Sequence, residues 1–386
     1  MHRINWVSAA FAAVLLSGCA GSSTSGGGPT PFEPRFDSET VAKLDTAVDD
    51  MMARMDIPGV VIGVWFPGRG TWIVAKGVRD TTTNEPMPIN AHFRIGSNTK
   101  SFLGTVVLQL VMEGRIELDK PISDYIDGVP NGDHITVRQM LQMASGLPNY
   151  SETAAFDDYL HTTPFAPVSR QQLLDWAFAE PNEFEPGTRW QYSNTNSVLL
   201  GILVEARTGK SIAQNMKERI FDRLAMENTS WPTTADLPVP FSRGYSRDTA
   251  NGERADATNW SPTWTDAAGI LISNLWDMKR WAKSVAVGEL LTPSIQAERL
   301  TWVELPGIGR ARYGLHIGKS GGWINHQGEM PGYNTIGAYL PELDATIVVL
   351  ANSSDGINGF SPVAGLITVI GRILAPEYTP ELPPLD

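Results

Sequence analysis

Runs rich in β-branched and aromatic residues lie at both ends of this chain, and the stretch between them carries mainly helical spacing. Near the N-terminus Val60 to Trp65 and Trp72 to Val78 flank Pro67-Gly68-Arg69-Gly70, a connection with strong turn chemistry. Near the C-terminus Arg312 to Ile317, Trp323 to Gln327, Thr335 to Leu340 and Ala345 to Leu350 read as successive strands. Helical signals dominate from Asp119 to about Ser284, over 138–143, 170–179, 196–208, 211–223 and 275–286. Val41, Leu44, Val48, Met51, Met52 and Met55 mark a first helix after the caps Asp37 and Ser38, and Ser361 to Leu374 a last one. One assembly that uses both groups of strands is a single sheet in which the two ends pair. The predicted class is therefore α+β: an antiparallel sheet made from both ends and covered by the terminal helices, with a mainly helical lobe inserted in the middle and a cleft between. The expected bounds are about 37–118 and 300–386 for the α/β lobe and about 119–299 for the helical lobe.

The first 36 residues follow a different logic. His2 and Arg3 precede an apolar run from Trp6 to Leu16, too short for the ~20 residues that cross a bilayer, and then Leu16-Ser17-Gly18-Cys19-Ala20. Cys19 is the only cysteine of the chain, which excludes an internal disulfide. Leu-Ser-Gly-Cys resembles a bacterial lipobox, which implies that residues 1–18 are a signal peptide and that Cys19 carries a lipid. Residues 19–36, rich in Gly, Ser, Thr and Pro, read as a flexible tether. The expectation is an exported lipoprotein held to a membrane of the cell envelope.

Forty-two acids against thirty bases give a net charge of −12, which argues against a nucleic-acid partner. The six histidines include no H-E-x-x-H pairing, so no metal and no other cofactor is expected. Two motifs are set aside. Gly209-Lys210-Ser211 lacks the first glycine of a phosphate loop, since position 204 is Val204. Gly318-Lys319-Ser320-Gly321-Gly322 matches G-x-S-x-G, but it lies between two strand runs and reads as a hairpin turn.

Three motifs carry chemistry. Ser97-Asn98-Thr99-Lys100 stands at the mouth of an apolar helix containing Phe102, Leu103, Val106, Val107, Leu110 and Val111 and ending at Gly114. Three residues of helix put Ser97 and Lys100 on one face, and burial can turn a lysine into a base by disfavouring its charge. Tyr192-Ser193-Asn194 sets a phenol and an amide at a helix start, and His326-Gln327-Gly328 ends a strand run.

In this order S-x-x-K, Y-x-N and H-x-G closely resemble the penicillin-recognising serine hydrolases, in the branch of class C β-lactamases, DD-carboxypeptidases and esterases. The resemblance covers roughly residues 40–375. Ser145-Gly146-Leu147-Pro148, Glu185-Pro186-Gly187 and Ala267-Ala268-Gly269-Ile270 agree with it. It implies that Ser97 is the acylated nucleophile, Lys100 its base, Tyr192 a second proton-transfer group and Asn194 a positioning amide. His326 and Gly328 would line the third motif, and the backbone N–H groups of Ser97 and Glu329 would form the oxyanion hole. His326-Gln327-Gly328 stands where class C β-lactamases have Lys-Thr-Gly, and Met143-Ala144 replaces the usual Thr-His, which favours a peptidase or esterase over a dedicated β-lactamase. The expected substrate is a small-molecule or peptidyl amide or ester. If His326 meets a substrate carboxylate, that recognition should fade between about pH 5.5 and 8. The rival readings are a non-catalytic lipoprotein of the same fold that binds muropeptide or a partner protein, and a lipase of the α/β-hydrolase plan using Ser320.

Overall fold

The computed structural model describes residues 35–305, 311–357 and 359–381. The signal segment, Cys19 and most of the tether lie outside the described residues. Nine strands form one antiparallel sheet: β1 (Gly59–Phe66), β2 (Gly70–Asp80), β3 (Glu85–Pro86), β4 (Val303–Glu304), β5 (Ala311–Tyr313), β6 (Gly318–Ser320), β7 (Trp323–Met330), β8 (Tyr333–Leu340) and β9 (Ala345–Ala351). Their order is β3-β2-β1-β9-β8-β7-β6-β5-β4. The first strand thus pairs with the last, Val61 opposite Leu350 and Gly63 opposite Val348, joining the two ends of the chain in one sheet.

All eight residues of β1 are buried, because helices cover both faces of the sheet centre. Val60, Ile62 and Val64 face a core shared with Leu44, Val48 and Met51 of α1 (Ser38–Arg54) and Val363, Leu366 and Ile370 of the C-terminal helix Pro362–Leu374. Val61 and Trp65 point the other way, into a second core. That core runs without a break from the sheet through α2 (Thr99–Met112) to α3 (Asn194–Thr208) and α4 (Leu275–Val287). Asp37 caps α1 as read from sequence, accepting from the backbone N–H of Thr40 at 2.8 Å.

The sequence patterns place most elements within two or three residues, with instructive exceptions. Gly318–Ser320, expected as a turn, is a strand hydrogen-bonded on both sides, to β5 and to β7. The turn before it is Gly314–Ile317, closed by the Gly314 N–H donating to the Ile317 carbonyl and carrying His316 at φ 53°, so the run expected over 312–317 ends at Tyr313. Ser320 therefore sits inside a strand and not on a strand-to-helix elbow, which removes the basis for the α/β-hydrolase reading. Helices Ala154–Thr162 and Pro293–Arg299 were not anticipated.

Alpha2 is buried from Thr99 to Leu110, on all sides. Phe102 stacks on Trp281 of α4, ring centroids 3.9 Å apart, and the Trp281 indole N–H donates to Ser101 Oγ at 2.8 Å. Phe102→Ala opens a cavity in the helix that carries the S-x-x-K motif, and should lower the unfolding free energy by about 3–5 kcal/mol in a denaturant titration. A loss below about 1 kcal/mol would show that α2 is held by something other than this packing.

Candidate active site

Ser97 lies in a single 3-10 turn, Gly96–Asn98, which feeds directly into α2. Two glycines allow this turn to rest on β7. A Cβ on Gly328 would lie 1.8 Å from the Ile95 carbonyl oxygen, and one on Gly96, at φ 50°, would lie 2.7 Å from the Glu329 nitrogen. The amide of Glu329 is thereby brought beside the turn that carries Ser97. Asn98 fastens the junction by donating to the Ile95 carbonyl and to Thr335 Oγ1, both at 3.0 Å, while the Thr335 hydroxyl donates to Ile95 as well.

Lys100 is fully buried, and its amine has three partners: Ser97 Oγ at 2.9 Å, Asn194 Oδ1 at 2.7 Å and the Ala268 carbonyl at 2.8 Å. Burial alone holds its pKa well below the usual lysine value. An uncharged amine has two hydrogens and one lone pair. Two of the three partners are oxygens that can only accept, so they take the hydrogens, and the lone pair faces the Ser97 hydroxyl. Each acceptor is itself held. Asn194 donates its amide to Ser151 Oγ at 2.9 Å, and its backbone N–H donates to Asn149 Oδ1 at 3.0 Å. Ala268 belongs to a short turn, Asp266–Gly269, anchored by Arg170 through Asp266 at 2.7 Å.

Tyr192 packs its ring 4.8 Å from the Lys100 amine and shares a hydrogen bond with Ser97. Burial raises its pKa, the Ser97 contact opposes this, and the charge of Glu329 raises it further. The phenol keeps its proton at neutral pH and is suited to give one away. Ser97, Tyr192 and Glu329 line two adjoining cavities, of about 330 and 400 Å³.

His326 also lines the first cavity, but in a state the sequence reading did not foresee. Its Nδ1–H donates to the Gln327 carbonyl at 2.7 Å, and its Nε2 accepts from the Tyr313 hydroxyl at 2.9 Å. Burial above all pushes its pKa down to about 3. The expected titration between pH 5.5 and 8 is overturned: the ring is neutral through that range and has no charge to offer a carboxylate. Tyr313 in turn meets Trp190 edge-on at 6.0 Å. Asn149, Ser151, Trp190 and Tyr313 were missed by sequence reasoning. Only Asn149 and Ser151 left a signal, following directly on Ser145-Gly146-Leu147-Pro148.

A family model described as Beta-lactamase matches residues 44–370. The chain belongs to the β-lactamase family. It is a serine hydrolase with the β-lactamase and DD-peptidase fold. Among solved structures, a D-stereospecific amidohydrolase from Streptomyces sp. is 29% identical, with a TM-score of 0.78 over 87% of this chain and 98% of that one. The D-amino acid amidase from Ochrobactrum anthropi SV3, complexed with L-phenylalanine amide, is 27% identical, with a TM-score of 0.76 over the same shares. The D-aminopeptidase of Brucella anthropi is 31% identical over 250 residues, 64% of this chain and 46% of that protein. Protein flp of Staphylococcus aureus (strain MW2) is 24% identical over 256 residues, 64% of this chain and 49% of that protein. The chain thus spans about half the length of these two relatives.

With His326 neutral, the kcat/KM ratio of a free-carboxylate peptide to its neutral amide should owe nothing to this ring between pH 5.5 and 8. His326→Gln should leave the pH profile of that ratio superimposable on the wild type. A step near pH 6.5 that disappears in His326→Gln would show the ring to be charged by substrate.

Proposed function

We propose that the chain hydrolyses the amide bond of D-amino acid amides or peptides through an acyl-enzyme on Ser97. The observation that carries this reading is the fully buried Lys100 amine, its pKa held well below the usual lysine value, 2.9 Å from Ser97 Oγ in the cleft. Ser97 Oγ attacks the carbonyl carbon as its proton passes to Lys100. The oxyanion of the tetrahedral intermediate is met by the backbone N–H groups of Ser97 and Glu329. The C–N bond breaks as Tyr192 gives its proton to the departing nitrogen, and the proton that Lys100 took from Ser97 restores the phenol, leaving Ser97 Oγ as the ester oxygen. Water then attacks the ester carbonyl, the relay takes the water proton, and Ser97 Oγ leaves reprotonated. The sum is amide plus water giving acid plus amine.

The non-catalytic alternative requires a buried lysine with no function, an expensive group to maintain for binding alone. Amide substrates are favoured by the structural relatives, a D-stereospecific amidohydrolase and a D-amino acid amidase. Ser97→Ala should abolish both turnover of D-amino acid amides and labelling by a fluorophosphonate, while changing stability by no more than about 1.5 kcal/mol. Lys100→Met should come close to the same loss, because residues that act as one proton-transfer unit are not additive. Labelling that persists in Ser97→Ala would overturn the assignment.

Export and anchoring belong to the same proposal: residues 1–18 are removed and Cys19 carries a lipid that holds the enzyme at the cell envelope. Its support is the Leu16-Ser17-Gly18-Cys19 pattern and the Gly- and Ser-rich stretch that follows. Wild-type protein should sediment with membranes and Cys19→Ser should not. Equal membrane fractionation of the two would refute the anchor.

A further inference from the structure

Charged residues of both signs line the two cavities that meet at Ser97. The charged residues lining one are Glu152, Asp248 and Glu329; those entering only the other are Arg312 and Lys319. Glu329 stands where they join, lining both. Neutral donors are all that satisfy the three acids. Glu329 accepts from the Asn334 amide at 3.0 Å, Glu152 from the Asn149 amide at 2.8 Å and Asp248 from the Ser246 hydroxyl at 3.1 Å, and among the described residues no Lys or Arg pairs with any of them. On the other side Arg312 is paired with Glu304 at 2.7 Å, whereas the Lys319 side chain has no ion pair among the described residues. Unbalanced charge of both signs therefore flanks one nucleophile.

We infer that the cleft is built for an unblocked dipeptide, its ammonium held by Glu329 and Asp248 and its carboxylate by Lys319. The inference rests on the amidase reading above. Peptide direction fixes the orientation. In a dipeptide the ammonium always belongs to the acyl residue and the carboxylate to the leaving residue. The ammonium nitrogen is two bonds from the scissile carbonyl carbon, so its partner must adjoin Ser97, as Glu329 does. The carboxylate carbon is three bonds away on the far side, in keeping with a cation on β6, one strand beyond β7. Glu329 also gains from such a guest: burial, and then the charge of Asp248, raise its pKa to about 7, a strain that a substrate cation would relieve. The step is the one already written, with the free amino acid as leaving group.

The test compares kcat/KM of the full-length enzyme for D-Ala-D-Ala, its N-acetyl form and its C-terminal amide. The unblocked dipeptide should exceed each blocked form by about tenfold or more. Asp248→Asn and Glu329→Gln should each shrink the preference over the N-acetyl form without touching the preference over the amide, and Lys319→Met should do the reverse. Equal rates on all three peptides would overturn this inference and leave the amidase reading standing. Preferences that survive all three substitutions would also overturn it. Turnover of an activated ester with none on any amide would instead sink the amidase reading, and this inference with it.

Discussion

The withdrawal of the Lys100 amine from water is the constraint around which the rest of this site is organised. A lysine in contact with solvent is protonated at neutral pH and useless as a base; one buried without partners would be ruinous to stability. The fold resolves this by bringing two obligate acceptors to the amine from separate parts of the chain, Asn194 at the start of α3 and Ala268 in the turn before Ile272, so that only the Ser97 hydroxyl remains for the lone pair. Both acceptors need support of their own, which explains why Arg170, Asn149 and Ser151 serve the site without a hydrogen bond to Ser97. The rigid packing of α2 between the sheet and α3 serves the same end, because a helix that shifted would admit water to Lys100.

The meeting of Ser97 and Lys100 was legible because helical geometry is local: a three-residue spacing determines that two side chains share a face. The fold class was legible for a related reason, since the β-branched runs at both ends and the helical spacing between them are also local signals. Features that depend on contacts across the sheet left no such trace. The neutral state of His326 follows from its burial in the assembled cleft, where its ring meets Tyr313 from across β6, thirteen residues away in sequence. Lys319 looked like part of a glycine-rich turn because three residues with no apolar side chain carry no alternating pattern, although the backbone pairs fully on both sides. Glu329 was read for its backbone amide alone. That its side chain stands at the junction of two cavities is a property of the assembled cleft.

The replacement of Lys-Thr-Gly by His326-Gln327-Gly328 has a further consequence for how the base is activated. A permanent cation in the third motif would stand near Lys100 and help to hold it uncharged. Here the neighbouring ring is neutral, and the lowered pKa of Lys100 is owed to burial alone. The two tasks that one cation could share, depressing the lysine pKa and receiving an anionic group, are separated in this chain. Desolvation performs the first. On the dipeptide reading proposed above, the second falls to a cation from outside the motif, and β6, hydrogen-bonded to β7 with Lys319 opposite Ile324, is the adjacent place on the sheet from which one can reach the cleft. A neutral third motif is therefore compatible with full activation of Ser97, and its sequence bears on substrate choice more than on catalytic competence.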